Sequence, residues 1–324
     1  RFAEADAIFT SMMTARPDGY LHDAIPLRLA EVAVARQDPA RAEVVLRALI
    51  AEELAVPEEA WLALAQVEET LAHRDHALEL YRRIYYDSPL SAQAVDAQSG
   101  IERLQESATI SADLVGRAQR RAQRLFEARR WAQARAGFEA IANAVNDDTK
   151  DLIAMRIAEC EYYLDRNRVA RDGLKPLLKA DQFEAEARYF YINAIRELGD
   201  GKTFVTEARE LVKDFPTSEW AAETLNSLAS HYLVVDEDAE ADLVFRELAQ
   251  KFPKHRFAER AAWKAGWAAY RSGRFEEAVG LFESAASVFP RADYRPSWLY
   301  WSARSRDQLN DTVAANERYR LVVA

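Results

Sequence analysis

Phe215-Pro216-Thr217-Ser218-Glu219-Trp220, Phe252-Pro253-Lys254-His255-Arg256-Phe257 and Phe289-Pro290-Arg291-Ala292-Asp293-Tyr294 are three versions of one segment, and their prolines step by 37 residues. The same step joins Phe183, Trp220, Phe257 and Tyr294. It joins the turn formers Gly199, Asp236, Gly273 and Asn310, and then Phe204, Ala241, Ala278 and Ala315. Ala208, Phe245, Phe282 and Tyr319 follow in the same register, as do Leu211, Leu248, Ala285 and Val322. Gly, Asp and Asn tolerate positive φ, so the turn row suits a left-handed residue that ends a first helix. The alanines of the next row let two helices approach closely. An aromatic four residues later, with an aliphatic or Ala three beyond, completes one apolar helical face. Proline then ends the second helix. The unit is a helix–turn–helix that buries its apolar face only by stacking on its neighbours.

Weaker copies lie upstream. Ala77, Tyr81, Ile84 and Pro89 repeat the second-helix pattern after a first helix carrying Trp61, Leu64 and Val67. Ala134, Phe138 and Ile141 follow Ala122 and Leu125, and Ala170, Leu174 and Leu177 follow Ala158. Asp38-Pro39 before Ala42, Val45, Leu46 and Leu49 reads as an N-cap with proline in the first helical position. The register breaks between Pro89 and Gly116, where Thr109, Ser111, Asp113 and Gly116 form a cap-and-turn cluster. The expected organisation is an N-terminal helical-repeat arm over 1–110 and a longer superhelix over 111–324, with its repeats clearest in 182–324.

Composition agrees with the pattern. Of 324 residues only 10 are Gly and 10 Pro, too few for the tight turns of a sandwich, barrel or doubly wound sheet. The expected fold is an all-α, tetratricopeptide-like helical-repeat superhelix, an α-solenoid. A net charge of −10 argues against a nucleic-acid partner, which needs a basic face. Cys160 is the single cysteine, so neither an intrachain disulfide nor a cysteine zinc site is open to the chain. No apolar run reaches the length of a transmembrane segment. The sequence opens at Arg1 with neither Met nor a leader pattern, and its last residues are expected to fall within a repeat helix. The chain is therefore expected to be a piece of a longer protein.

No Gly-rich phosphate loop, Gly-x-Ser-x-Gly elbow or His-Glu-x-x-His helix is present, so no catalytic centre is expected. Neither is a cofactor or a metal. His73 and His76, three residues apart, could share a helical face for zinc, but they fall where a turn belongs and read as exposed polar loop. Cys160 lies between Glu159 and Glu161, acids that raise a thiol's pKa, and reads as an inert packing thiol. Two surfaces remain as candidate ligand sites. Arg117, Arg121 and Arg124 crowd one segment with Arg120, Arg129, Arg130 and Arg135 around Trp131, and could meet an anionic partner or pair with neighbouring acids. Arg295, Trp298, Trp301 and Arg304, with Tyr294 and Tyr300 among them, place rings beside guanidinium groups, one repeat after Trp263, Trp267 and Tyr270. Rings so placed suit sugar stacking and cation–π contacts, although first-helix aromatics more often fill cores.

The second-helix spacing resembles that of a tetratricopeptide repeat, whose usual period of about 34 residues is slightly shorter. A finer likeness lies in Pro290-Arg291-Ala292-Asp293-Tyr294-Arg295-Pro296-Ser297-Trp298-Leu299-Tyr300-Trp301-Ser302-Ala303-Arg304, which resembles the last superhelical repeats of soluble lytic transglycosylases. Leu309-Asn310-Asp311 with Ala314, Ala315 and Tyr319 continues it. Tyr81-Arg82-Arg83-Ile84-Tyr85-Tyr86-Asp87-Ser88-Pro89-Leu90-Ser91 is similar to a segment of their N-terminal helical arm. In that family the superhelix lies beside a C-terminal lysozyme-like domain that cleaves peptidoglycan to a 1,6-anhydro product. The family's catalytic acid sits in a Gln-Glu-Ser triplet with a Gly-Leu-Met-Gln turn downstream. Here Gln105-Glu106-Ser107 is followed by Ala108-Thr109-Ile110-Ser111, so the triplet does not qualify and no catalytic residue carries over.

The resemblance implies a periplasmic, non-catalytic scaffold of a cell-wall enzyme, guiding glycan strands or partners to a catalytic domain that this chain lacks. The rival expectation is a periplasmic repeat adapter that binds protein segments during cell-envelope assembly. Peptidoglycan or a protein is accordingly the expected partner.

Overall fold

A computed structural model describes residues 2–15, 23–105, 111–180 and 182–323. Among these residues there are 18 α-helices and no strand, so the all-α expectation holds. In the first half the helices are α1 (Phe2–Ala15), α2 (Ala24–Ala35), α3 (Pro39–Ile50), α4 (Pro57–Thr70), α5 (Arg74–Asp87), α6 (Ala94–Leu104), α7 (Ala112–Glu127), α8 (Trp131–Ile141) and α9 (Asp147–Tyr163). The second half continues with α10 (Asn167–Leu174), α11 (Glu184–Glu197), α12 (Gly201–Asp214), α13 (Glu219–Val234), α14 (Asp238–Lys251), α15 (Ala258–Arg271), α16 (Phe275–Val288), α17 (Arg295–Gln308) and α18 (Thr312–Val322). A 3₁₀ turn at Lys175–Leu177 follows α10.

The turn row behaves as its residue types require. Gly199, Asp236, Gly273 and Asn310 take φ of 90°, 60°, 71° and 61°. The same left-handed turn recurs upstream at Gln37, Ala72, Arg129 and Asp165, with φ of 61°, 62°, 59° and 59°. Seven of these eight turns close with the same pair of bonds: the Gly273 N–H donates to the Tyr270 carbonyl and the Arg274 N–H to the Ala269 carbonyl, both at 3.0 Å, whereas the turn at Asp236 keeps only the second, from the Glu237 N–H to the Tyr232 carbonyl. At Ala72 the equivalent bonds are Ala72 N–H to Glu69 at 3.1 Å and His73 N–H to Glu68 at 2.8 Å. This is the Schellman closure, which satisfies carbonyls that the helix end would leave orphaned.

A second helix follows each turn, and its inward residues keep one offset. Ala42, Leu46 and Leu49 stand where Ala77, Tyr81 and Ile84, or Ala278, Phe282 and Ala285, stand later, and all nine are buried. Phe215, Phe252 and Phe289 cap α12, α14 and α16 just ahead of the prolines. The Asp38 carboxylate accepts from the Arg41 N–H behind Pro39, as the sequence predicts. Cys160 is fully buried.

Two helices stand outside the turn register. Asp6 on α1 accepts hydrogen bonds from Arg36 and Arg41 at the first turn. The helix α6 is inserted after α5, which explains the register break: Gln37 to Ala72 is 35 residues, whereas Ala72 to Arg129 is 57. Gly100 of α6 lies against the Tyr81 ring, and a Cβ there would stand 2.6 Å from ring carbons. By backbone contacts the chain divides into two compact units, Arg1–Cys160 and Glu161–Ala324. The joint expected near 110 borders residues 106–110, which lie outside the described residues, as do Glu106 and Ser107 of the triplet.

Candidate functional site

In the first unit Arg117, Arg120, Arg121 and Arg124 of the arginine cluster lie along α7, and α5 engages three of them. Arg117 bridges Glu79 at 2.9 Å and Asp87 at 3.0 Å, with its guanidinium over the Tyr86 ring. Burial works against its charge, but these two carboxylates win and raise its pKa. Arg121 lies 3.9 Å over the Tyr85 ring and donates to the Tyr85 carbonyl, and burial pulls its pKa down. Arg124 donates to the Asp87 carbonyl and lines a cleft of about 910 Å³ formed by Ser88–Gln93, Glu127 and Ala128. Trp131 packs edge-on against Phe126 at 5.1 Å. The partners of Arg117, Arg121 and Arg124 are thus the acids, carbonyls and rings of α5, and their chemistry is that of a helix–helix seam, while Arg135 pairs with Glu139 on α8.

The second unit separates the aromatic candidates. Trp298 is fully buried, stacked at 5.9 Å on Tyr294 and packed against Phe289 at 5.7 Å. Its indole N–H has no acceptor among the described residues. The expectation that Trp298 forms part of a ligand surface is therefore corrected, because its place on α17 turns it into the core beside Phe282. Arg295 is half-buried, and its Nε lacks a partner among the described residues. Trp301, by contrast, is half-exposed and reaches back to α15, with ring centroids 4.7 Å from Trp267 and 4.8 Å from Tyr270. Trp263 and Trp267 stack at 6.0 Å and 9°, and Trp267 continues onto Tyr270 at 5.8 Å and 12°. Arg304 is exposed beside Tyr270, Tyr300 and Tyr319, whose oxygens raise its pKa. The candidate surface is therefore an aromatic face spanning α15 and α17, with Trp301 and Arg304 kept from the sequence list and Trp263, Trp267 and Tyr270 joined to them.

The hairpin spacing explains this face. On α15 the residues Ala261, Ala265 and Ala269 are fully buried and make the close helix contacts, so the large rings at 263, 267 and 270 fall toward the edge of the core, where Trp263 and Tyr270 pack against it and all three stay half-exposed. Gly266 admits the Phe282 ring from α16, since a Cβ would come within 2.5 Å of it.

Sequence reasoning missed the ionic networks that lock helices together. Glu283 on α16 accepts from Ser302 at 2.8 Å, Arg306 at 3.0 Å and Arg318 at 2.9 Å, tying α17 and α18 to it. Burial opposes its ionisation, yet these donors hold its pKa at about 2. Glu68 on α4 is buried with Arg47 and His73 against it. The partners are 19 to 35 residues away from Glu283 in the chain, and nothing local in the sequence marks them.

A tetratricopeptide-repeat family model matches residues 260–292, the stretch that carries Trp263, Trp267 and Tyr270. No curated protein matches the chain. Among solved structures, the apo form of RapI is 10% identical, over 93% of this chain and 86% of its own, with a TM-score of 0.49. A Rap protein complexed with competence and sporulation factor is 13% identical over 93% of this chain and 96% of its own, at 0.43. MamA from AMB-1 is 19% identical over 54% of this chain and 91% of its own, at 0.39. The chain is an all-α, tetratricopeptide-like helical repeat.

Proposed function

We propose that this chain is a non-catalytic scaffold that holds an extended segment of a protein partner on the α15–α17 face. The observation that carries the reading is the set of half-exposed rings, Trp263, Trp267, Tyr270 and Trp301, which meet one another across α15 and α17 at the edge of the alanine-filled core. Large, rigid aromatic surfaces are the residues on which binding energy concentrates. Lys264 and Arg304 flank the rings and make no ion pair among the described residues, so they are available to a partner's carboxylates or carbonyls. The α7 arginines, already engaged by α5, contribute less to this reading.

A second reading is favoured by the likeness of 290–304 to lytic transglycosylase repeats: a periplasmic scaffold that guides peptidoglycan strands, with the same rings stacking on sugar faces. One set of variants separates the two. A displayed peptide library is selected on the purified chain, and the same chain is co-sedimented with peptidoglycan sacculi while the supernatant is assayed for muropeptides. The protein-binding reading expects selected peptides that are lost on Trp301→Ala or Trp267→Ala and kept on Arg124→Ala. Sedimentation that depends on Trp301, without any such peptides, transfers the proposal to the glycan strand. Release of anhydro-muropeptides overturns the non-catalytic reading and directs attention to Glu106.

A further inference from the structure

In the first unit, the turn between α4 and α5 gathers side chains that the binding face does not use. Glu43 comes from α3, Glu68 from the end of α4, and His73 from the cap of α5. One oxygen from each carboxylate and one imidazole nitrogen all lie within 4.8 Å of one another. The Glu68 side chain is only 1% exposed, and its Oε2 stands 2.7 Å from His73 Nδ1 and 3.9 Å from His76 Nδ1. The backbone fixes this convergence. Ala72 at φ 62° closes the turn, and the His73 N–H is bonded to the Glu68 carbonyl, so the imidazole is returned to the carboxylate of the same residue.

A cation already sits in this cluster. Arg47 donates from Nε to Glu43 at 2.7 Å and from its terminal nitrogen to Glu68, with His76 Nδ1 at 3.5 Å. Its side chain is 47% exposed, so the guanidinium has an open path into solvent. Two carboxylates and two imidazoles around one displaceable positive charge match the mixed N/O donor set that divalent zinc takes in tetrahedral form, whereas magnesium prefers an octahedral, oxygen-rich shell.

We propose that Glu43, Glu68, His73 and His76 form a zinc site in which the metal replaces the Arg47 guanidinium. On binding, Arg47 moves outward and the imidazoles present their Nδ1 lone pairs with the proton on Nε2. Glu68, the buried member, keeps a counter-charge throughout. The metal would clamp α3, α4 and the start of α5, which makes the site structural.

The test is zinc titration of the tag-free chain by calorimetry and by thermal melting, with magnesium as the control cation. The expected result is one zinc per chain and a raised Tm with zinc alone. His73→Ala weakens binding about tenfold or more, the loss typical for damage to a metal's ligand environment. Arg47→Ala supplies the sharper arm: removing the resident cation lowers the metal-free Tm and tightens zinc binding. Zinc binding that survives the His73→Ala, His76→Ala double variant unchanged overturns the proposal, as does a Tm unmoved by zinc. Weaker zinc binding in Arg47→Ala overturns the displacement step.

Discussion

The turns at Ala72 and Gly273 share one geometry and differ in residue. Their φ values are 62° and 71°, and both close with the same pair of backbone bonds. Both precede the same buried row, Ala77, Tyr81 and Ile84 in one case and Ala278, Phe282 and Ala285 in the other. Glycine enters the left-handed region freely, whereas an L-residue is held there at a cost of about 1–2 kcal/mol. The turn is thus imposed by the helices that flank it, and the turn residue only sets how much strain remains. In both regions, packing of the aromatic beyond the turn stabilises the hairpin by more than the turn residue can.

That ranking is open to a direct challenge by truncating the aromatic. Phe282→Ala is expected to cost about 3–5 kcal/mol, since the ring is fully buried against Gly266. Tyr81→Ala is expected to cost a similar amount, with the added loss of the 2.8 Å bond its hydroxyl donates to Glu69. Urea titrations of both variants measure the two costs on one scale. A Tyr81→Ala cost below about 1 kcal/mol, far under the usual range for a buried ring, would break the equivalence of the two hairpins.

Electrostatic locking gives the second contrast, because the Phe282 hairpin carries the Glu283 network. With Glu283 held at about 2, well below its ordinary value of 4.5, the folded state is favoured at every pH above that ordinary value. The contribution is lost as pH falls from about 4.5 through about 2, because the unfolded chain takes up the proton first. Melting the wild type and Glu283→Gln from neutral pH down through this window should show two curves that converge at the acid end. Parallel curves would mean that the three donors contribute nothing through the charge.

The 37-residue rows were legible because their turn residues, alanines and aromatics each announce a physical role. The fold class and the inward faces followed from them. The turns at Gln37, Ala72 and Arg129 were not legible, since those residue types carry no left-handed preference, and α6 hid the register further. The candidate surface was read less fully. Trp298, Tyr300 and Trp301 lie within four residues, and only the packing of α17 on α16 decides that Trp298 goes inward and Trp301 stays at the surface. The α7 arginine run was visible as charge, but Glu79 and Asp87, its partners, lie 30 to 38 residues upstream. Pairing across helices is a property of register in space, which local spacing does not encode.

Exchanging the turn residues sharpens the comparison at a smaller scale. Gly273→Ala is expected to lose about 1 kcal/mol, with open space around the added Cβ and backbone strain as the cause. Ala72→Gly should gain about 0.5–1 kcal/mol, the relief of strain being offset in part by the greater freedom of unfolded glycine. Opposite signs in denaturant midpoints support the strain account. A loss in both variants would mean that the Ala72 methyl packs in a way that outweighs its backbone.

The residue after the turn gives the finest distinction. Asp200 starts α12 at φ −91°, ψ 69° and accepts from the Thr203 N–H at 3.1 Å, whereas Arg130 starts α8 at φ −86°, ψ 59° and makes no cap bond. The backbones are nearly the same, so the difference lies in side-chain chemistry alone. Asp200→Ala should cost about 1 kcal/mol, and Arg130→Asp should gain about 0.5–1 kcal/mol by supplying the missing acceptor and an anion at a helix N-terminus. The gain should shrink as pH falls below the ordinary aspartate range, because a protonated cap loses the charge that the helix dipole favours. If Arg130→Asp were neutral near neutral pH while Asp200→Ala cost its full amount, the cap at α8 would be limited by the angle at which the chain leaves Arg129, and the two turns would differ in backbone after all.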